Sequence, residues 1–124
     1  MQVAFANNQI LTNDGTVDPV IYTDPIALGN SDRISGVVNV HYIYGTNADL
    51  DIKTQVSNDG IYWVDEGIDT SGAASYPAVA IGATGQFRLD AATVLGAFIR
   101  VAFEFDSDDT AAIGFDFHST LDHA

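Results

Sequence analysis

The ten residues Gln55-Val56-Ser57-Asn58-Asp59-Gly60-Ile61-Tyr62-Trp63-Val64 decide the fold class. An alternating strand runs into Asn-Asp-Gly, residue types that tolerate the positive φ of a tight turn, and leaves through two aromatics that favour a pleated, half-buried surface. The pattern predicts a β-hairpin whose exit strand carries Tyr62 and Trp63 on opposite faces. Just upstream, Leu50, Ile52, Thr54 and Val56 alternate with Asp49, Asp51, Lys53, Gln55 and Ser57, giving one face for a core and one for solvent.

Working outward, Ile34 to Tyr44 (ISGVVNVHYIY) reads as a long central strand with Ile34, Gly36, Val38, Val40, Tyr42 and Tyr44 on one face. Val20-Ile21-Tyr22 is a short strand that Pro19 and Pro25 confine to a sheet edge. Phe87 and Leu89 bracket Arg88 in another short strand. Ala97 to Phe105 points Ile99, Val101, Phe103 and Phe105 inward, and Ile113 to His118 does the same with Ile113, Phe115 and Phe117. Gly67 to Gly85 reads mostly as a loop, a length usually reserved for function. No 3.6-residue period persists over ten residues, although Ala91 to Ala97 could make a helical turn. These patterns predict an all-β, two-sheet antiparallel sandwich of jelly-roll type, with an immunoglobulin-like sandwich as the alternative. Residues 1–16 are polar and Asn-rich and read as an extended arm or a first edge strand; residues 17–124 form the sandwich domain.

The composition narrows the function. Apolar residues make up 47% of the 124 and charged ones 17%, a profile that buries a single core. Seventeen acidic residues against four basic ones give a formal charge of −13, which repels phosphate backbones and anionic lipid, so neither nucleic acid nor membrane is an expected partner. Absent cysteine excludes disulfides, thiolate metal sites and thiol catalysis. Residues 1–11 lack a basic region and a continuous apolar stretch, so no signal peptide or membrane span is expected.

Catalytic chemistry has no signature here. His41, His118 and His123 are scattered, and no nucleophile elbow, zinc-ligand helix or phosphate-cradling loop appears. The chain reads as a non-enzyme without a cofactor. The acidic turn Asp106, Asp108, Asp109 is the best candidate for calcium, yet it lacks the spacing of a calcium loop, and a solvated hairpin turn explains it more simply. Tyr62 and Trp63, with Tyr76, offer a stacking platform for a sugar, against the alternative that Trp63 fills the core. Lys53, Arg88 and Arg100 sit mid-strand among apolar neighbours, which suits ion pairs within the chain or with a neighbouring subunit.

The run Gly36-Val37-Val38-Asn39-Val40-His41-Tyr42-Ile43-Tyr44-Gly45 leading to Ser57-Asn58-Asp59-Gly60-Ile61-Tyr62-Trp63 resembles small structural proteins of tailed bacteriophages, in particular the jelly-roll capsid decoration, or cement, proteins. The resemblance covers about residues 34 to 118. It implies a homotrimer made in the host cytoplasm and carried on the outer surface of the virion head. There it would bind the major capsid protein and clamp neighbouring capsomers. On that reading residues 1–16, with Val3, Phe5, Ile10 and Leu11, and the loop Gly67 to Gly85 make the principal contacts, joined by Lys53, Arg88 and Arg100. Rival expectations are a carbohydrate- or receptor-binding module on Tyr62, Trp63 and Tyr76, and a calcium-dependent enzyme or adhesin on Asp106 to Asp109.

Overall fold

The computed structural model describes residues 2–65 and 79–123, excepting the side chains of 2–7, 79–80 and 89–93. Ten strands follow in chain order: β1 (Gln2–Asn13), β2 (Val20–Tyr22), β3 (Ile26–Ala27), β4 (Arg33–Tyr44), β5 (Asp49–Ser57), β6 (Val64–Asp65), β7 (Val79–Ile81), β8 (Gly85–Thr93), β9 (Phe98–Asp106) and β10 (Ala111–Asp122). The first sheet has the order β1-β10-β4-β8. In the second, β9 and β5 lie at the centre, β2 and β3 share the outer side of β9, and β6 and β7 share the outer side of β5. All pairings are antiparallel.

Taking β2/β3 and β6/β7 as two interrupted strands leaves eight strands, four to a sheet. Among the described residues β5–β6 is the one hairpin, and the links β1 to β2, β3 to β4, β4 to β5, β7 to β8, β8 to β9 and β9 to β10 all cross between sheets. That is a jelly roll. An immunoglobulin sandwich would keep its first two strands as neighbours in one sheet, which β1 and β2 are not.

The core lies between the sheets, built by the expected alternation. Leu50, Ile52, Val56, Ile99, Val101, Phe103 and Phe105 enter from the second sheet, and Ile34, Val38, Val40, Ile113, Phe115, Phe117 and Leu121 from the first. Phe103 bridges them, its ring 5.1 Å from that of Phe115 and 5.4 Å from that of Phe117. The prolines behave as their chemistry requires: β2 is an edge strand between Pro19 and Pro25. In the gap before β3, Thr23 keeps the ladder closed, its Oγ1 accepting the Val101 amide at 2.9 Å.

Several local expectations are corrected. A β-bulge at His41, where the register passes from Val40↔Phe115 to Tyr42↔Gly114, reverses the parity of β4. Tyr42 and Tyr44 therefore leave the inner face and Ile43 joins the core. Val79–Ile81 is a strand on β5 rather than loop, and β8 extends through Thr93, replacing the helical turn expected from Ala91. The acidic turn after Asp106 is a link between sheets, not a hairpin. Residues 2–13 pair along β10 as the edge of the first sheet, with irregularities near Ala6. Alternation on that paired strand sends Leu11, expected at an interface, into the core, while Ile10 stays exposed.

Candidate functional site

The outer face of the second sheet gathers the chemistry. Because β9 and β5 are paired in register, Asp49 lies opposite Asp106 and Asp51 opposite Glu104 at one end, while Lys53 lies opposite Ala102 and Gln55 opposite Arg100 further along. The acidic end opposes like charges directly, which is unfavourable. Burial, then Asp106, Glu104 and Asp49, raises the Asp51 carboxyl above its ordinary range. Burial, then Asp49, Asp18 and Glu104, does the same for Asp106, whose Oδ1 has no hydrogen-bond partner among the described residues.

Four residues along the strands, Arg100 is held between two aromatics. Its guanidinium carbon lies 4.0 Å from the ring centre of Tyr22 and 4.4 Å from that of Trp63. Its Nε donates to Gln55 Oε1 at 2.8 Å, and Gln55 Nε2 donates to Asp65 Oδ1 at 3.0 Å. Three elements build this stack: β2 supplies Tyr22, β9 Arg100 and the end of the hairpin loop Trp63. Trp63 therefore packs on the outside of the sheet and does not fill the core.

The hairpin explains why. Gly60 takes the positive φ (+77°) that the turn requires. Asp59 accepts the amides of Ile61 at 2.8 Å and Tyr62 at 2.9 Å, and the Ser57 hydroxyl at 3.0 Å. Those bonds hold the Asp59 carboxyl below its ordinary range, the Tyr62 amide contributing most. They also widen the loop, so pairing resumes only at Val64↔Val56 and both aromatics precede the strand expected to carry them. Tyr62 is 79% exposed beside an open pocket of about 370 Å³ that Asn58, Asp59 and Leu95 help line.

On the outer face of the first sheet the bulged His41 meets Asp116, Nε2 to Oδ2 at 2.8 Å, and the Asn8 amide donates to the other carboxylate oxygen. The Asn8 bond, then His41, lowers the Asp116 carboxyl. The Tyr42 ring covers Gly114, where a Cβ would come within 2.4 Å of it, and packs at a 30° tilt against Tyr44 with ring centres 5.6 Å apart.

The remaining candidates disperse. Asp109 accepts the amide and hydroxyl of Thr46, at 2.9 and 2.8 Å, and Asp108 accepts the Asn47 side-chain amide at 2.6 Å, while Asp106 faces Asp49 on the sheet. The three aspartates offered as a calcium candidate thus turn to different neighbours, Asp106 to another carboxylate, and among the described residues no three His, Asp or Glu gather to hold a metal. His123 faces Asp32 at 3.4 Å, and His118 is exposed near Asp116. Arg33 pairs with Asp122 at 2.7 Å, an ion pair absent from the expectations. Arg88 is exposed on β8. Tyr76 lies outside the described residues, as do the side chains of Val3 and Phe5.

No protein-family model and no curated protein matches this chain. Among solved structures it is similar to the infectious bursal disease virus VP2 subviral particle, with a TM-score of 0.59 and 12% identity over 99% of this chain. The chain spans about a third of that protein, 32% of its length. The shared feature is the fold: a β-sandwich of the kind found in a viral capsid protein.

Proposed function

We propose that the chain is a non-enzymatic virion structural protein that binds the outside of a phage capsid and ties neighbouring capsomers together. The observation that carries this reading is the jelly-roll strand order, in a fold similar to a domain-sized part of a viral capsid protein. The site chemistry agrees in kind, since the outer faces present aromatics, an arginine and carboxylates suited to recognition. In this reading residues 1–16 and the segment from Gly67 to Gly85 contact the major capsid protein, and three copies gathered at the shell gain avidity from many modest contacts. Ile10 and Arg88, both exposed, are the contacts open to test.

The test is cosedimentation of the purified chain with phage heads lacking their own decoration protein. Binding that falls at least tenfold with Ile10→Asp or Arg88→Glu, both variants remaining folded, supports the reading; no binding to any shell removes it. One observation favours a second reading, a glycan- or receptor-binding module: exposed Tyr62 beside a pocket edged by Asn58 and Asp59. Glycan-array binding lost on Tyr62→Ala would select it.

A further inference from the structure

We propose that the outer face of the second sheet is a self-complementary contact that pairs two copies of this chain. The face is bipolar. Asp51 and Glu104 sit opposite each other at one end, and Arg100 lies four residues along β9, about 13 Å away at strand spacing. The row of Lys53, Ala102 and Tyr22 falls midway. A twofold axis lying in the interface, across the strands at that row, sets Arg100 against Asp51 and Glu104 of the partner subunit, and does so twice.

Three features fit a contact better than a solvated face. Arg100 is stacked between Tyr22 and Trp63 and anchored by Gln55, a pre-organised cluster of the residue types that dominate interface energetics. Only four basic residues serve seventeen acidic ones, and Arg100 is the one this arrangement sets against carboxylates; Lys53, on the axis row, faces its own copy and adds nothing to the contact. The opposed carboxylates at the far end gain from a cation brought close, and the raised protonation tendency of Asp51 accords with that. The occupant follows from spacing: a second copy carries the matching charges at the matching separation. Because both ends share one face, a single contact satisfies both and closes at two copies in solution, which leaves the threefold gathering of the proposed function to the shell.

The mass of the full chain is measured by light scattering over concentrations up to about 0.1 mM. Two copies are expected, falling to one in about 1 M salt, where screening acts over only a few ångströms. Arg100→Glu alone, and Asp51→Lys with Glu104→Lys in a second variant, each give monomers with native circular dichroism. Mixing the two variants restores a dimer of mixed composition, since each then meets its opposite. A wild-type monomer across the series, a dimer or trimer indifferent to salt and to Arg100→Glu, or folded variants that fail to associate when mixed would overturn the proposal. Shell binding is read separately by cosedimentation, so either idea can fail without the other.

Discussion

At the scale of the residue, a buried ring ties the two sheets together and a glycine makes room for a ring on the outer face. Phe103 is fully buried and touches both Phe115 and Phe117, so it joins the sheets where the core is thickest. Phe103→Ala is expected to cost about 3–5 kcal/mol in urea unfolding, through lost transfer energy and the cavity left behind. Gly114 is the opposite case, a missing side chain that lets Tyr42 lie on the backbone. Gly114→Ala is expected to cost about 1–3 kcal/mol by overpacking. Combining it with Tyr42→Ala should cost less than the two separately, because removing the ring makes space for the methyl; a strictly additive pair would show that the contact does not matter. Trp63 differs again. As it packs on Arg100 outside the core, Trp63→Ala should cost only about 1 kcal/mol, far below the loss expected of a core aromatic.

At the scale of the element, legibility in the sequence follows how strongly each strand distinguishes its two faces. β5 sets Leu50, Ile52, Thr54 and Val56 against Asp49, Asp51, Lys53 and Gln55, and its burial follows that alternation until Ser57, which is buried. β4 carries Tyr42, Ile43 and Tyr44 in succession, apolar on both faces, so nothing local marks the parity change that the His41 bulge imposes. The hairpin was legible as a turn and illegible in width, because the extra residues are held by amide hydrogen bonds donated to Asp59 that the motif does not announce. The Tyr22–Arg100–Trp63 stack joins residues far apart in sequence, and only the pairing of both β2 and β5 with β9 brings them together. Asp59→Ala should loosen the loop and redistribute Tyr62 and Trp63, read as a shift in the emission of the single tryptophan while the cooperative unfolding transition remains.

At the scale of the whole molecule, two classes of carboxylate act in opposite directions on stability. Asp51 and Asp106 have folded-state values above the ordinary 3.8, so their cost is fully present at neutral pH and is relieved as pH falls through those raised values. Asp14, Asp59, Asp109, Asp116 and Asp122 lie below 3.8, so their contribution holds above it and is lost as pH falls through the lowered values. The melting temperature of the monomeric Arg100→Glu variant should therefore rise on mild acidification from neutrality, peak somewhat above pH 3.8 and then fall; a steady decline from neutrality would contradict the assignment. The strand order has a further consequence in time. β9 and β10, each flanked on both sides in its sheet, are the last of the ten to leave the ribosome, so β1, β2 and β3 emerge with no neighbour to pair with. Until β9 and β10 follow, those three strands keep open edges, and the yield of folded protein depends on how well the edges are shielded in the interval.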